Sequence, residues 1–160
     1  MGKKDSLSNG IVAIMNKQEN NSQTVRKGRP EDIDIIHKIL DMEPFKYNDD
    51  IPYERSWIEQ LVVNDRCLTL VYESEGQIKG FISGEKMVSG AIMIWFCAVK
   101  TEYQNNIIGI KLYKEFEKAC KETGITAILA YGYKTSAGML DRLKFYSGEH
   151  TYREFYKPLE

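Results

Sequence analysis

Hydrophobic and polar residues alternate along this chain with periods that predict a succession of strands and helices. Apolar or alternating runs between turn-forming residues predict strands at 24–27, 67–72, 77–85, 91–99, 125–131 and 152–159. Apolar positions at helical spacing predict helices at about 30–42, 53–64, 107–122 and 135–143. The resulting order β, α, α, β, β, β, α, β, α, β predicts an α+β fold with a mixed sheet.

The composition of the chain changes at about residue 23. Residues 1–23 are polar apart from a small apolar patch at 11–15, which predicts a flexible polar N-terminal arm. The alternative for this patch is that it packs on the domain or on a partner. From residue 24 to residue 160 the pattern is regular. With 42% hydrophobic residues among 160, the chain is long enough for one core, so residues 24–160 are predicted to form a single domain.

Charge and cysteine content exclude several classes of protein. The 22 Lys and Arg residues balance 23 Asp and Glu residues, which argues against a nucleic-acid partner. No apolar run approaches the roughly 18 residues that a membrane-spanning helix needs, so we expect no membrane partner. Cys67, Cys97 and Cys120 are too far apart in sequence for a zinc site and odd in number for a disulfide framework. We therefore expect free thiols, a cytoplasmic location and no metal.

The stretch from the strand at 91–99 to the helix at 107–122 carries the main chemical signal. A buried strand runs into a polar turn, and a long helix opens directly afterwards. The unpaired N–H groups and the positive dipole end of such a helix favour an anion such as a phosphate. Asn105 and Asn106 suit the turn, and Gly109 allows the backbone to approach a ligand closely. The Gly-Lys-Ser/Thr ending of a Walker loop is missing.

This segment and the order of elements resemble the GNAT superfamily of acyl-CoA-dependent N-acyltransferases. Members show a strand ending in Val and a turn reading Gln/Arg-x-x-Gly-x-Gly/Ala, followed by a helix. Val99 matches the strand end, Tyr103 the aromatic residue before the motif, and Gln104 and Gly109 its first and last positions. The resemblance extends over about residues 24–159. It implies a mostly antiparallel central sheet flanked by helices, with two strands splayed apart for the pantetheine arm.

The resemblance implies acetyl-CoA as co-substrate and a specific set of binding residues. Backbone groups of Cys97 and Val99 would bind the pantetheine arm. Main-chain N–H groups would surround the pyrophosphate, and they would come from Gln104, Asn105, Asn106, Gly109 and Ile110.

The resemblance also implies a base for the acceptor amine and an acid for the departing thiolate. Glu85 is the nearest candidate base, because it ends the strand next to 91–99; the alternative is an ordinary solvated charge at a strand end. Tyr133 is the candidate acid, with a packing role as the alternative. In many members the acid is a tyrosine on the helix predicted here at 135–143. This chain has Leu140 at the matching position.

The function expected from the resemblance is acetyl transfer from acetyl-CoA to a primary amine of a small molecule or a protein. The resemblance places the loop at 41–54 beside the acceptor, where its carboxylates would favour a cationic acceptor; the alternative is a solvated charged loop. The resemblance also allows a homodimer, which the predicted strand at 152–159 would form.

Three departures from the family pattern leave alternatives open. Ile107 stands in place of the first motif glycine, Leu140 in place of the tyrosine, and Lys144 in place of the glycine in a late Leu-Gly-Phe. One alternative is a catalytically inactive binding or structural module with the same fold. The other is a GNAT-like enzyme with a nonstandard acyl donor or a nucleic-acid acceptor.

Overall fold

A computed structural model describes residues 23–42, 53–104, 107–131 and 137–146 of the chain. Its strands are β1 (Thr24–Lys27), β2 (Cys67–Ser74), β3 (Gln77–Lys86), β4 (Ile92–Val99) and β5 (Ile128–Ala130). Its α-helices are α1 (Ile33–Leu40), α2 (Arg55–Val63), α3 (Ile107–Glu122) and α4 (Ala137–Arg142), and short 3-10 helices lie at Pro30–Asp32 and Thr101–Tyr103. This order confirms the predicted α+β fold. Residues 1–22 of the arm predicted at 1–23 and the predicted strand at 152–159 lie outside the described residues.

The five described strands form one sheet in the order β1-β2-β3-β4-β5. Each strand is antiparallel to its neighbour except β5, which is parallel to β4. The turn between β2 and β3 has Glu75 and Gly76 at φ +56° and +70°. Two residues with positive φ give the hairpin twist that antiparallel strands need. The sheet is therefore mixed and mostly antiparallel, as predicted.

Helices cover both faces of the sheet. The face towards α1 and α2 holds a core of buried side chains that includes Ile36, Ile58 and Phe81. On the other face, α3 buries one side of its amphipathic surface, with Phe116 fully buried. Gly84 of β3 lies so close to this helix that a Cβ atom there would be 2.8 Å from Cζ of Phe116.

Two bulges interrupt the sheet. Tyr72 pairs with Gly80 and Glu73 with Ile78, so Lys79 is an extra residue in β3. In the same way, Trp95 is an extra residue in β4, because the flanking residues of that strand pair with consecutive residues of β3. Bulges of this kind bend a strand and redirect a side chain.

The structure differs from the sequence prediction at β4 and β5. The apolar run at 91–99 predicts burial on both faces, but Trp95 is 45% exposed because it is a bulge residue. The strand predicted at 125–131 is shorter, since the N–H of Ile125 donates to the carbonyl of Cys120 at 3.0 Å. That bond closes the end of α3 after Gly124, at φ +73°, and delays the start of the strand.

The chain forms two compact units, Met1–Ala130 and Tyr131–Glu160. The first contains the sheet and α1 to α3. In the second, Lys144 lies two residues after the end of α4 and has φ +60°. The N–H of Phe145 donates to the carbonyl of Leu140 at 3.0 Å and closes the end of this helix. This left-handed position is one that glycine favours, which explains why a glycine is expected there. Within the described ranges, no helix is long and apolar enough to cross a membrane.

Candidate functional site

The parallel pair β4–β5 separates after three residues. Pairing runs from Ile92 with Ile128 to Ile94 with Ala130, and β5 ends there. Among the described residues, the last five residues of β4 therefore pair with no strand on that side. The N–H of Lys100 donates to the carbonyl of Lys79 at 2.9 Å.

That hydrogen bond fixes the direction of the backbone groups in β4. Hydrogen-bonded and non-hydrogen-bonded pairs alternate along an antiparallel ladder. Because Lys100 is bonded to β3, the backbone N–H and C=O groups of Cys97 and Val99 point away from β3, towards the open edge. These are the two residues that the resemblance to the GNAT superfamily implies for the pantetheine arm.

The turn after β4 is held by its own hydrogen bonds. The N–H of Tyr103 donates to the carbonyl of Lys100 at 2.8 Å, and Nε2 of Gln104 donates to the carbonyl of Val99 at 3.1 Å. The Gln104 side chain thus closes the turn back onto the strand. Asn105 and Asn106 lie outside the described residues.

Helix α3 opens at Ile107 with no acidic residue in its first turn. The N–H groups of the first four residues of a helix have no partner within it, so they and the helix dipole attract an anion. Gly109 is buried and Ile110 half-buried. Ile107, at the position of the first motif glycine, is 60% exposed, so its side chain is not part of the core.

The carboxylate of Glu85 lies close to the point where β4 and β5 separate. Glu85 pairs with Met93, which is one residue before the end of the β4–β5 pairing. Trp95 donates its indole N–H to Oε2 of Glu85 at 3.3 Å, and Nε of Arg66 lies 3.9 Å from Oε1. The Glu85 side chain is 40% exposed, so a substrate can reach it.

An aromatic cluster lies on the α2 face of the sheet beside this carboxylate. The ring centroids of Tyr53 and Trp57 lie 5.3 Å and 5.4 Å from that of Phe96 in edge-to-face geometry. Trp57 is 40% exposed. The cluster adjoins the β4 bulge, since Phe96 follows Trp95.

Comparison with known proteins identifies the family to which this geometry belongs. The model of the Acetyltransferase (GNAT) family matches residues 33–147, which is well over half of the chain. This chain belongs to the GNAT acetyltransferase family. Among curated proteins, none matches the sequence.

Solved structures of GNAT acetyltransferases share the fold. A possible acetyltransferase from Clostridium difficile 630 is 16% identical with a TM-score of 0.70, over 86% of this chain and 99% of that one. An aminoglycoside acetyltransferase from an uncultured soil metagenomic sample, solved with sisomicin, is 17% identical with a TM-score of 0.65, over 89% and 99%. The PaiA N-acetyltransferase of Thermoplasma acidophilum, solved with coenzyme A, is 20% identical with a TM-score of 0.64, over 76% and 86%.

The cysteines of this GNAT-family chain are poor nucleophiles. Burial raises the pKa of the Cys97 thiol to about 12, although part of the residue is accessible. Burial, with a smaller contribution from the Glu85 carboxylate, also raises the pKa of Cys67. Both thiols are protonated at neutral pH, so the backbone of Cys97 is its relevant feature for a ligand.

A shallow groove of about 510 Å³ on the β1 side of the sheet is a weaker candidate. Three of its charged groups bind one another: Arg26 donates to Asp32 at 2.7 Å and 3.0 Å and to Glu73 at 2.7 Å. These three side chains are therefore already engaged with one another. Among the described residues, no three His, Cys, Asp or Glu side chains cluster closely enough to hold a metal ion.

The structure adds residues to the site that the sequence did not single out. Trp95 and Arg66 contact Glu85, and Lys79 contacts the turn after β4. The apolar residues Ile78 and Phe81 of β3 are three apart, which breaks the two-residue alternation of a strand and was a usable signal for the Lys79 bulge. Tyr133, the candidate acid, lies outside the described residues.

Proposed function

We propose that this protein is an acetyl-CoA-dependent N-acetyltransferase that acts on a primary amine of a small molecule or a protein. Its membership of the GNAT family supports acyl transfer. The observation that carries the proposal is the open edge of β4, which leads directly into a turn and the N-terminus of α3. Acetyl-CoA has an extended arm that ends in a thioester and is joined to a pyrophosphate. The open strand edge would pair with the arm, and the helix N-terminus that follows would receive the pyrophosphate.

The described residues fit such a ligand. The backbone groups of Cys97 and Val99 that point to the open edge would bind the two amide groups of the pantetheine arm. The first turn of α3, including Gly109 and Ile110, would direct N–H groups at the pyrophosphate. Asn105 and Asn106 remain predicted members of the same site.

Acetyl-CoA would supply the acetyl group as a thioester. The chain must then remove a proton from the acceptor ammonium, so that the amine nitrogen can form its bond to the carbonyl carbon. Glu85 is our candidate for this step, directly or through water, because its exposed carboxylate lies near the separation of β4 and β5. As the carbon–sulfur bond breaks, the thiolate needs a proton, for which Tyr133 is the predicted donor.

The acceptor would lie on the α2 face, next to Glu85. Trp57 and Trp95 expose indole surface there, which can contact the body of an amine and attract its cationic group. Relatives in the family bind aminoglycosides, as the structure with sisomicin shows for that protein. The choice between such polycations and simpler amines depends in part on the predicted acidic loop, whose residues 43–52 lie outside the described ones.

Calorimetric titration with acetyl-CoA and with CoA tests the binding step. Gly109→Trp fills the position where the backbone would approach the ligand, and Lys114→Trp on the outer face of α3 is the matched control. A second pair is Ile107→Asp and Ile107→Asn. Both alter an exposed side chain, but only the carboxylate repels a phosphate while still suiting a helix N-terminus. We expect Gly109→Trp and Ile107→Asp to abolish or weaken micromolar binding, and both controls to retain it.

An acceptor panel with detection of free thiol tests turnover. We expect acetylation of at least one primary amine, and a loss of about 10²-fold or more in Glu85→Gln. Binding without product from any amine or protein would instead establish the inactive binding module, which Ile107 and Leu140 favour. Product with another acyl-CoA or with a nucleic acid would establish the other alternative. Absence of CoA binding by the wild-type protein at millimolar concentration would refute the proposal.

We further propose a cytoplasmic location, and a homodimer as a second property to test. Light scattering after size-exclusion chromatography, with and without residues 152–160, would measure the assembly state and its dependence on the predicted last strand.

A further inference from the structure

Lys79 is the extra residue of the β3 bulge, and its side chain is held against the protein. The side chain is only 12% exposed, although lysine normally extends its ammonium into water. Nζ lies 4.6 Å from the ring centroid of Tyr103 and 3.1 Å from Oε2 of Glu75. The bulge thus directs a partly desolvated cation onto an aromatic ring.

Tyr103 belongs to the segment that joins β4 to α3. It is the last residue of the 3-10 helix Thr101–Tyr103, directly before Gln104. The backbone carbonyl of Lys79 also accepts the N–H of Lys100 at 2.9 Å. Lys79 therefore contacts this segment at two points. Its backbone carbonyl accepts from Lys100, and its ammonium lies over the ring of Tyr103.

This arrangement bears on ligand binding because the segment precedes the N–H groups at the start of α3. A loop that is already ordered in its binding conformation loses less entropy when the ligand arrives. The attraction between a cation and an aromatic ring strengthens when the cation is desolvated. The ammonium of Lys79 is already engaged by Glu75 and by the ring, so it serves the turn rather than a phosphate.

We propose that Lys79 is a positioning residue: through Tyr103 it holds residues 100–104, the described part of the segment between β4 and α3, in the conformation that receives the pyrophosphate of acyl-CoA. This inference rests on the proposed function. It assigns Lys79 a role in cofactor affinity without contact with the cofactor.

Dissociation constants for CoA and for dephospho-CoA, which lacks the 3′-phosphate, test the proposal in four single variants and in the double variant Lys79→Met/Tyr103→Leu. Lys79→Met removes the cation, and Tyr103→Leu removes the ring. Because Tyr103→Leu leaves the bulge residue unchanged, it tests the same contact even if Lys79→Met does not fold. Lys79→Arg retains a cation that stacks on tyrosine. Lys114→Met, an exposed lysine on the outer face of α3, controls for the loss of one positive charge. The melting temperature of each variant is measured in parallel.

We expect Lys79→Met and Tyr103→Leu each to raise both dissociation constants by about 3- to 10-fold. The double variant should bind as weakly as either single variant, Lys79→Arg should lie within about twofold of wild type, and Lys114→Met should match it. A dissociation constant unchanged in Lys79→Met would overturn the inference. So would an effect seen with CoA but not with dephospho-CoA, which indicates direct phosphate contact, or effects that multiply in the double variant. If the wild-type protein binds no CoA, the proposed function itself fails, and this inference with it.

Discussion

A buried hydroxyl pair fastens α2 to the sheet and offers a quantitative test of how the site is supported. Oγ1 of Thr69 lies 2.5 Å from the carbonyl of Leu61 and 2.7 Å from Oγ of Ser83. Leu61 is in the last turn of α2, where carbonyls lack helical partners. Thr69 has one proton, so it donates to Leu61 and accepts from Ser83. Ser83 is two residues before Glu85 on the same face of β3, so the pair supports the strand that carries the candidate base.

The substitution Thr69→Val keeps the shape of the side chain and removes both hydrogen bonds. Thr69 is 2% exposed and Ser83 is fully buried, so water cannot replace the lost partners. Two buried polar groups lose a partner, each at roughly 1–3 kcal/mol, so we expect a loss of about 2–6 kcal/mol in the free energy of unfolding. Ser83→Ala removes one hydrogen bond and leaves Leu61 satisfied, for a loss of about 1 kcal/mol.

Urea unfolding followed by tryptophan fluorescence measures these free energies, and Trp57 on α2 reports on this part of the structure. The double variant leaves only the Leu61 carbonyl unsatisfied, so its loss should be about 2–4 kcal/mol smaller than the sum of the single losses. Thr24→Val, at an exposed position of β1, is the control and should change stability by less than about 0.5 kcal/mol. A loss below about 0.5 kcal/mol in Thr69→Val, or strict additivity, would refute the reasoning.

Three further outcomes follow from the described contacts. Gly84→Ala should destabilise the protein by about 2–3 kcal/mol in urea unfolding, because its Cβ would lie 2.8 Å from Phe116, and Phe116→Leu in the same chain should recover part of the loss. Burial raises the pKa of Asp32, but hydrogen bonds from Arg26 and a backbone N–H outweigh it and hold the pKa below its ordinary 3.8. Asp32→Asn should therefore cost about 2–3 kcal/mol at pH 7, and urea titrations should show that difference fade as the pH falls below 3.8. Lys144→Gly should stabilise the end of α4 by about 1 kcal/mol, because φ is +60° there, as measured by slower hydrogen exchange of its amides.

Much of the fold could be predicted because hydrophobic periodicity is a local property. The predicted and observed limits agree for β1 and for α3, Ile107–Glu122, whose apolar stripe spans more than four turns. β5 was predicted too long, because the N–H of Ile125 donates to the carbonyl of Cys120 at the end of α3 and not to a neighbouring strand. The spacing of Ile78 and Phe81 is a signal for the bulge at Lys79. The bulge at Trp95 could not be located from the sequence, because the residues around it are all apolar and one extra residue changes only the pairing with β3.

The site could be predicted only in outline. The turn around Gln104 follows from sequence order, since a strand, a turn and a helix are consecutive in the chain. The open edge at Cys97 and Val99 was implied only by the resemblance to the GNAT superfamily. Trp95 and Arg66 contact Glu85, and Lys79 contacts Tyr103. These partners come from distant parts of the chain, so they depend on the pairing register of the strands. Their assignment to catalysis and cofactor binding therefore remains a prediction that the proposed titrations address.

The β4 bulge has a consequence for how relatives of this chain should be aligned. Before Trp95, even-numbered residues such as Ile92 face α3; beyond it, odd-numbered residues such as Val99 face α3, while Phe96 joins the core on the opposite face. A relative with a regular strand here requires a one-residue gap opposite Trp95. An ungapped comparison would match positions that face α3 with positions that face α1 and α2 over half of the strand. Deletion of Trp95, by contrast, would make the strand regular and keep Phe96 and Val99 on their present faces, because Ile94 and Phe96 already pair with consecutive residues of β3.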